Sequence, residues 1–125
     1  MPVIGLGTWR AFDVGHGQSA RAPLERCVAE FESLGGRLID SSPMYGWAEE
    51  VAGEILTSLG LRDRMFIATK VWTQGRELGI EQMRESMRKL RVDRIDLMQV
   101  HNLVDTATHL DTMRRWKVEG LLRYI

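Results

Sequence analysis

A chain of 125 residues carries 17 Lys and Arg against 17 Asp and Glu, so its formal net charge is zero. With 44% hydrophobic and 27% charged residues it has the mix of one ordinary globular domain. It is too apolar for disorder and lacks the clustered cationic excess that a nucleic-acid partner would demand. No run approaches the roughly 18 uninterrupted apolar residues of a membrane-spanning helix, and a single cysteine excludes an internal disulfide or a thiolate metal cluster. Cys27 stands among apolar neighbours and reads as a small core residue. The stretch Met1 to Gly7 lacks the charged and apolar regions of a signal peptide, so the cytoplasm is the expected compartment.

Short β-type runs alternate with longer helical patterns. Val3 to Leu6 is an apolar run ending in glycines. Over 22–34, Leu24, Cys27, Val28 and Phe31 recur at i, i+3, i+4 and i+7, one face of a helix that Gly35 and Gly36 stop. Arg37 to Asp40 predicts a short strand. Val51, Ala52, Ile55, Leu56 and Leu59 mark a second helix over 48–59, ended by Gly60. Met65 to Lys70 predicts a third strand. Ile80, Met83, Met87 and Leu90 mark the next helix, with Glu85 and Lys89 as an exposed i,i+4 pair. Ile95 to Val100 predicts a fourth strand. A fourth helix over 106–118 turns Leu110, Met113 and Trp116 inward and stops before Gly120. Leu121 to Ile125 begins a fifth strand.

Strands separated by helices imply right-handed crossovers and a parallel sheet. The predicted strand ends fall near Gly7, Asp40, Lys70 and His101, at intervals of 33, 30 and 31 residues. Eight units of that length make roughly 250 residues, the size of a (β/α)8 TIM barrel. The expected fold is therefore α/β: a partial barrel of four βα units plus the start of strand 5, forming one domain over 1–125.

Ligands of parallel α/β folds bind at the carboxyl ends of the strands. Three of these ends carry Asp40, Lys70 and His101. Tyr45 follows Asp40 through a turn-forming stretch that can curl its hydroxyl over the same mouth. A free tyrosine titrates near pH 10. A nearby lysine ammonium favours the phenolate and is expected to lower that value, while a carboxylate holds the lysine. A histidine can donate a hydrogen bond to a carbonyl or relay a proton. Singly, each residue has an ordinary role: Asp40 as a turn former or helix cap, Lys70 as a solvated strand end, His101 as a satisfied histidine, Tyr45 as packing. Together, at the mouths of consecutive units, they suit protonation of a carbonyl oxygen while hydride arrives at its carbon.

These residues also carry a resemblance. The stretches GLGTW (5–9), LIDSSPMYGWAEEVAGEIL (38–56), FIATKVW (66–72) and LRVDRIDLMQVHN (90–102) resemble the aldo-keto reductase family, and the likeness runs over essentially the whole chain. It implies a catalytic tetrad of Asp40, Tyr45, Lys70 and His101. Tyr45 would be the proton donor, Lys70, held by Asp40, would lower its pKa, and His101 would orient the substrate carbonyl. The resemblance further implies a cofactor site including Gly7, Thr8, Trp9 and Asp40, and a substrate pocket walled by Trp9, Trp72, His101 and Asn102. The implied cofactor is NADPH, with NADH as the alternative, and the implied partner is a small aldehyde or ketone. Family members run to roughly twice this length. Their second half supplies most contacts to the nicotinamide amide, the pyrophosphate and the 2′-phosphate, and a short hairpin usually plugs the barrel bottom before the first strand. The chain thus reads as a truncated fragment whose own turnover is open. Its open barrel edges invite self-association.

Two other readings compete. Gly15, Gly17 and Ala20 fit the G-x-G-x-x-G/A pattern of a Rossmann domain, with Asp40 about twenty residues on. Yet Arg10 to Val14 makes a poor buried strand, and that reading leaves Tyr45, Lys70 and His101 unexplained. The second is a catalytically inactive remnant acting at most as an interaction or structural piece. No metal is expected: Met83, Met87 and Met113 sit at helix-face spacing, and His16 and His109 have no partners at metal-ligand spacing. Arg114, Arg115 and Lys117 read as a solvated helix terminus.

Overall fold

The structure, a computed structural model, describes residues Met1–Ile125. Five strands alternate with four helices: β1 (Gly5–Gly7), α1 (Gln18–Ser33), β2 (Leu38–Asp40), α2 (Ala48–Ser58), β3 (Phe66–Val71), α3 (Arg76–Leu90), β4 (Ile95–Val100), α4 (Thr106–Val118) and β5 (Leu122–Tyr124). Single 3-10 turns occupy Arg62–Arg64 and His101–Leu103. Every strand pair is parallel, and the sheet order is the chain order, β1 to β5. This is the expected α/β succession, as one open sheet.

Register divides the sheet into two faces. Asp40 lies opposite Ala68, and Lys70 opposite Gln99. Successive side chains alternate across a strand. Ile39, Ile67, Thr69, Val71 and Met98 therefore point to the helix layer, where all are at most 1% exposed. Val51, Ile55, Met83, Leu90, Met113 and Trp116 close over them in a single core. Asp40, Lys70 and Gln99 share the opposite, uncovered face.

Helices α1, α2 and α4 end as the pattern predicts, at glycines in the left-handed region (Gly35, Gly60 and Gly120). The N–H that follows each glycine reaches back to Phe31, Leu56 or Trp116. α3 stops without a glycine: Arg91 adopts φ 57° in that role, and the N–H of Val92 bonds the carbonyl of Met87.

Three expectations are corrected. Helix α1 begins at Gln18, four residues before the predicted start at 22, because its first turn is polar and hydrophobic spacing cannot register it. Cys27 is exposed, not a core residue. The buried stripe of α1 is narrow and centres on Val28, at 1% exposure, flanked by half-buried Leu24 and Phe31. β1 is Gly5–Gly7, while Val3 and Ile4 are 96% and 69% exposed. The Rossmann pattern also loses its context. Residues 9–14 hold no strand, and Gly17 caps α1 ten residues after β1 ends. A sheet in sequential order has no strand-order reversal at which a dinucleotide would sit. No helix is long and apolar enough to cross a membrane, and no group of three or more His, Cys, Asp or Glu could hold a metal ion.

Candidate active site

Asp40, Lys70, Tyr45 and His101 are brought together by consecutive strands and the segments that follow them. Asp40 closes β2, and Lys70 sits near the end of β3 on the same face. The Lys70 ammonium donates to both Asp40 carboxylate oxygens and to the Ser41 carbonyl, each at 2.8 Å. Its three donors are thereby used, and its side chain is 12% exposed. Gln99, on β4, donates from Nε2 to Asp40 Oδ1 at 3.2 Å.

Tyr45 hangs over this pair from the β2–α2 loop. Its N–H bonds the Ser42 carbonyl at 3.0 Å, the turn that the stretch around Pro43 predicts. Lys70 Nζ lies 5.5 Å from the Tyr45 ring centroid. The His101 ring meets the Tyr45 ring edge-on, at 5.7 Å and 88°. His101 opens the 3-10 turn after β4, and its Nδ1 is 2.8 Å from the Ser42 hydroxyl.

The electrostatics correct one expectation. Burial first, then the Asp40 carboxylate, push the Tyr45 hydroxyl above its ordinary pKa. The net direction is upward although Lys70 lies close by, its ammonium being engaged by both Asp40 carboxylate oxygens. At neutral pH Tyr45 therefore keeps its proton. Burial and the Lys70 charge hold His101 below its ordinary pKa, with Asp40 acting in the opposite direction. The imidazole is accordingly neutral at pH 7.

The β1–α1 loop forms one wall. Thr8 is fully buried, with its hydroxyl bonded between the Asp40 carbonyl at 3.0 Å and the Ser41 hydroxyl at 2.9 Å. It fastens β1 to β2. Trp9 is 62% exposed, its ring 6.4 Å from that of Tyr45, with the Arg10 guanidinium over the Trp9 ring at 4.7 Å from its centroid. Asp13 locks this loop to the next one by accepting the Trp47 N–H at 3.0 Å. At Gly46, φ is 60° and a Cβ would stand 2.3 Å from the Asp13 carboxylate, so only glycine leaves room. His16 packs edge-on against Trp47 at 4.6 Å.

Trp72 and Asn102 are exposed at the same ends of β3 and β4. Gln82 of α3 holds the Trp72 backbone at both its N–H and its carbonyl. The rest of that loop is fixed from α4. Buried His109 donates from Nε2 to the Thr73 carbonyl at 2.8 Å, and Asp105 accepts the Gly75 N–H at 2.8 Å. The bonds from Gly75 and Thr108 hold the Asp105 carboxyl below its usual range. Gln99, Ser42, Asp13 and Trp47 were not singled out from the sequence. Register could have found Gln99, a polar residue facing the same side as Lys70.

Behind Lys70, on the helix side of β3, lies a buried carboxyl. Glu49 of α2 is 1% exposed and accepts bonds from Thr69 at 2.5 Å and Ser86 at 3.1 Å. Burial raises its pKa against the pull of those two hydroxyls. A carboxyl whose folded pKa exceeds its unfolded one stabilises the fold below the unfolded value, and that contribution is lost as pH rises through the folded value. Glu49→Gln should therefore hold its urea midpoint better than the parent between pH 5 and pH 8. Equal declines in the two proteins would contradict this.

A group of arginines interleaved with Asp63, Asp93 and Asp96 lies elsewhere. A groove of about 510 Å³ lined by Arg37, Arg62, Arg64, Arg94 and Arg123 opens at the opposite ends of the strands and shares no residue with the tetrad.

The sequence model of the aldo/keto reductase family matches residues 3–125. The chain belongs to the aldo/keto reductase family. It is 37% identical to methylglyoxal reductase YeaE of Escherichia coli, across 97% of this chain and 46% of that protein. It is 33% identical to aldo-keto reductase YhdN of Bacillus subtilis, across 98% of this chain and 41% of that one. Among solved structures it resembles an aldo-keto reductase from Klebsiella pneumoniae in complex with NADPH, with a TM-score of 0.83 at 28% identity, covering 98% of this chain and 44% of that one. The chain thus spans about half the length of these aldo-keto reductases. Its five parallel strands correspond to about half of their (β/α)8 barrels.

Proposed function

We propose that this chain carries the acid–base half of an NADPH-dependent reductase that converts a small aldehyde or ketone to an alcohol. The observation that carries the reading is the meeting of Asp40, Lys70, Tyr45 and His101 at one mouth, with a protonated tyrosine above a locked lysine–carboxylate pair. Tyr45 Oη gives its proton to the carbonyl oxygen. Lys70 steadies the phenolate charge that develops, and Asp40 and Gln99 keep Lys70 in place. His101, neutral and edge-on to Tyr45, donates a hydrogen bond to the same oxygen and sets its approach. Trp9, Trp72 and Asn102 wall the substrate.

The residues present fit a nicotinamide. A Cβ at Gly7 would meet nothing within 4 Å, and Trp9 stands open beside Tyr45. Gly7, Trp9 and Asp40 would form its near wall, with Thr8 shaping that wall through the strands it joins. A bound NADPH, or less preferred NADH, supplies hydride to the carbonyl carbon. The methylglyoxal reductases among the relatives support a small, reactive aldehyde as substrate.

A second reading rests on the uncovered sheet face and on β1 and β5, which have neighbours on one side only. Such edges favour pairing with another chain, a second copy included, and a role as an interaction piece. Titration of the chain with NADPH, followed by cofactor fluorescence, separates the two. Saturable binding with consumption of NADPH on methylglyoxal is the expected result. A folded chain that binds neither NADPH nor NADH would favour the interaction role.

A further inference from the structure

We infer that Ser42 is a positioning residue that fixes the tautomer of His101, so that the imidazole presents Nε2–H to the mouth. The inference rests on the reading above, in which His101 addresses the substrate oxygen.

Ser42 is 0% exposed, so its hydroxyl must find partners within the protein. A serine hydroxyl has one hydrogen to give and two lone pairs. One lone pair accepts the Met44 N–H at 3.2 Å. The remaining polar neighbour is His101 Nδ1 at 2.8 Å. If Nδ1 carried the hydrogen, it would fill the second lone pair, and the serine hydrogen would be buried without an acceptor. If Nδ1 is bare, Ser42 donates to it and every group is satisfied. A bare Nδ1 on a neutral ring leaves the proton on Nε2.

The turn makes this possible. The Ser42 carbonyl accepts the Tyr45 N–H, so the residue that orients His101 also anchors the loop carrying Tyr45. The two groups that would meet the carbonyl oxygen are thus referred to a single residue. An alanine at this position would keep the turn and release the imidazole.

Long-range proton–nitrogen correlation of the imidazoles in the 15N-labelled chain, at pH 7.5 to 8, tests the inference. Signals are assigned to His101 by comparison with His101→Asn. The parent should show a protonated Nε2 and a bare, hydrogen-bonded Nδ1. In Ser42→Ala the Nδ1 resonance should shift and the two tautomers should mix; Ser42→Thr, which keeps the hydroxyl, should restore the parent pattern. A protonated Nδ1 in the parent overturns the inference, even if the variants fail to fold. So does a Ser42→Ala spectrum identical to the parent's. In an assay of carbonyl reduction, Ser42→Ala should lower kcat several-fold with a smaller change in KM. A locked tautomer in a chain whose reductase activity survives Tyr45→Phe would refute the proposed reaction while leaving the role of Ser42 intact.

Discussion

Tyr45→Phe is expected to abolish carbonyl reduction while leaving the melting temperature nearly unchanged. The substitution removes one oxygen. That oxygen is the proposed proton donor: the Lys70 ammonium is tied to Asp40 and Ser41, and a neutral imidazole is a weak acid. General acid catalysis contributes on the order of 10²–10⁴-fold. At about 1.4 kcal/mol per decade, the barrier should rise by roughly 3–5 kcal/mol. Stability should move far less. The phenol ring keeps its contacts with Trp9 and His101, and its hydroxyl has no hydrogen-bonded partner in the protein to be orphaned. Changes of this kind lie within about 0.5 kcal/mol. Rates of NADPH consumption and a thermal melt, measured on the same preparations, check both halves. A variant retaining a tenth or more of the parent rate would remove Tyr45 from the proton-donor role.

Gly53→Ala is expected to destabilise the fold more than any other single-methyl addition in the helices. In an ordinary helix interior this change stabilises, by up to about 1 kcal/mol. Here α2 crosses α3 so closely that a Cβ would stand 2.1 Å from the Lys89 carbonyl oxygen and 2.9 Å from Leu90 backbone atoms. Backbone cannot rotate aside as a flexible side chain can, so the helices must separate. Overpacking costs roughly 1–3 kcal/mol and occasionally more. Separation would also loosen Glu49 from Ser86, which spans the same crossing. The net loss should be about 2 kcal/mol, a fall on the order of 10 °C in melting temperature. A melting point equal to or above the parent's would show that α2 and α3 do not pack this tightly.

The elements that sequence reading located best are those whose signal is local. β4 and α4 match their predicted spans, Ile95–Val100 and Thr106–Val118, because an apolar run and a 3.6-residue stripe each survive without knowledge of the neighbours. Three of the four helix ends announce themselves as glycines; the fourth is hidden because Arg91 takes a conformation that sequence reserves for glycine or asparagine. The failures at Cys27 and at the mouth are relational. Cys27 matches the hydrophobic spacing of α1, yet how wide a stripe is covered depends on what packs there. The four mouth residues are legible by type and strand position. Their charges are not: which way the Tyr45 hydroxyl is pushed depends on how closely Asp40 engages Lys70, and that turns on two 2.8 Å contacts across strands 30 residues apart. Gln99 and Ser42 are hidden for the same reason, being ordinary polar residues until register brings them to Asp40 and His101.

The sequential strand order has a kinetic corollary. Paired residues such as Gly5 and Leu38, Leu38 and Phe66, Ala68 and Leu97, or Ile95 and Leu122 are separated by 33, 28, 29 and 27 positions. Loop-closure entropy varies only with the logarithm of that separation, so each added strand meets nearly the same cost. No strand has to wait for a partner synthesised much later. During synthesis the newest edge is always the template for the next unit, and Asp40 is already in its strand when Lys70 emerges to claim it. The proposed site can therefore be laid down in the order in which its residues are translated, one βα unit at a time.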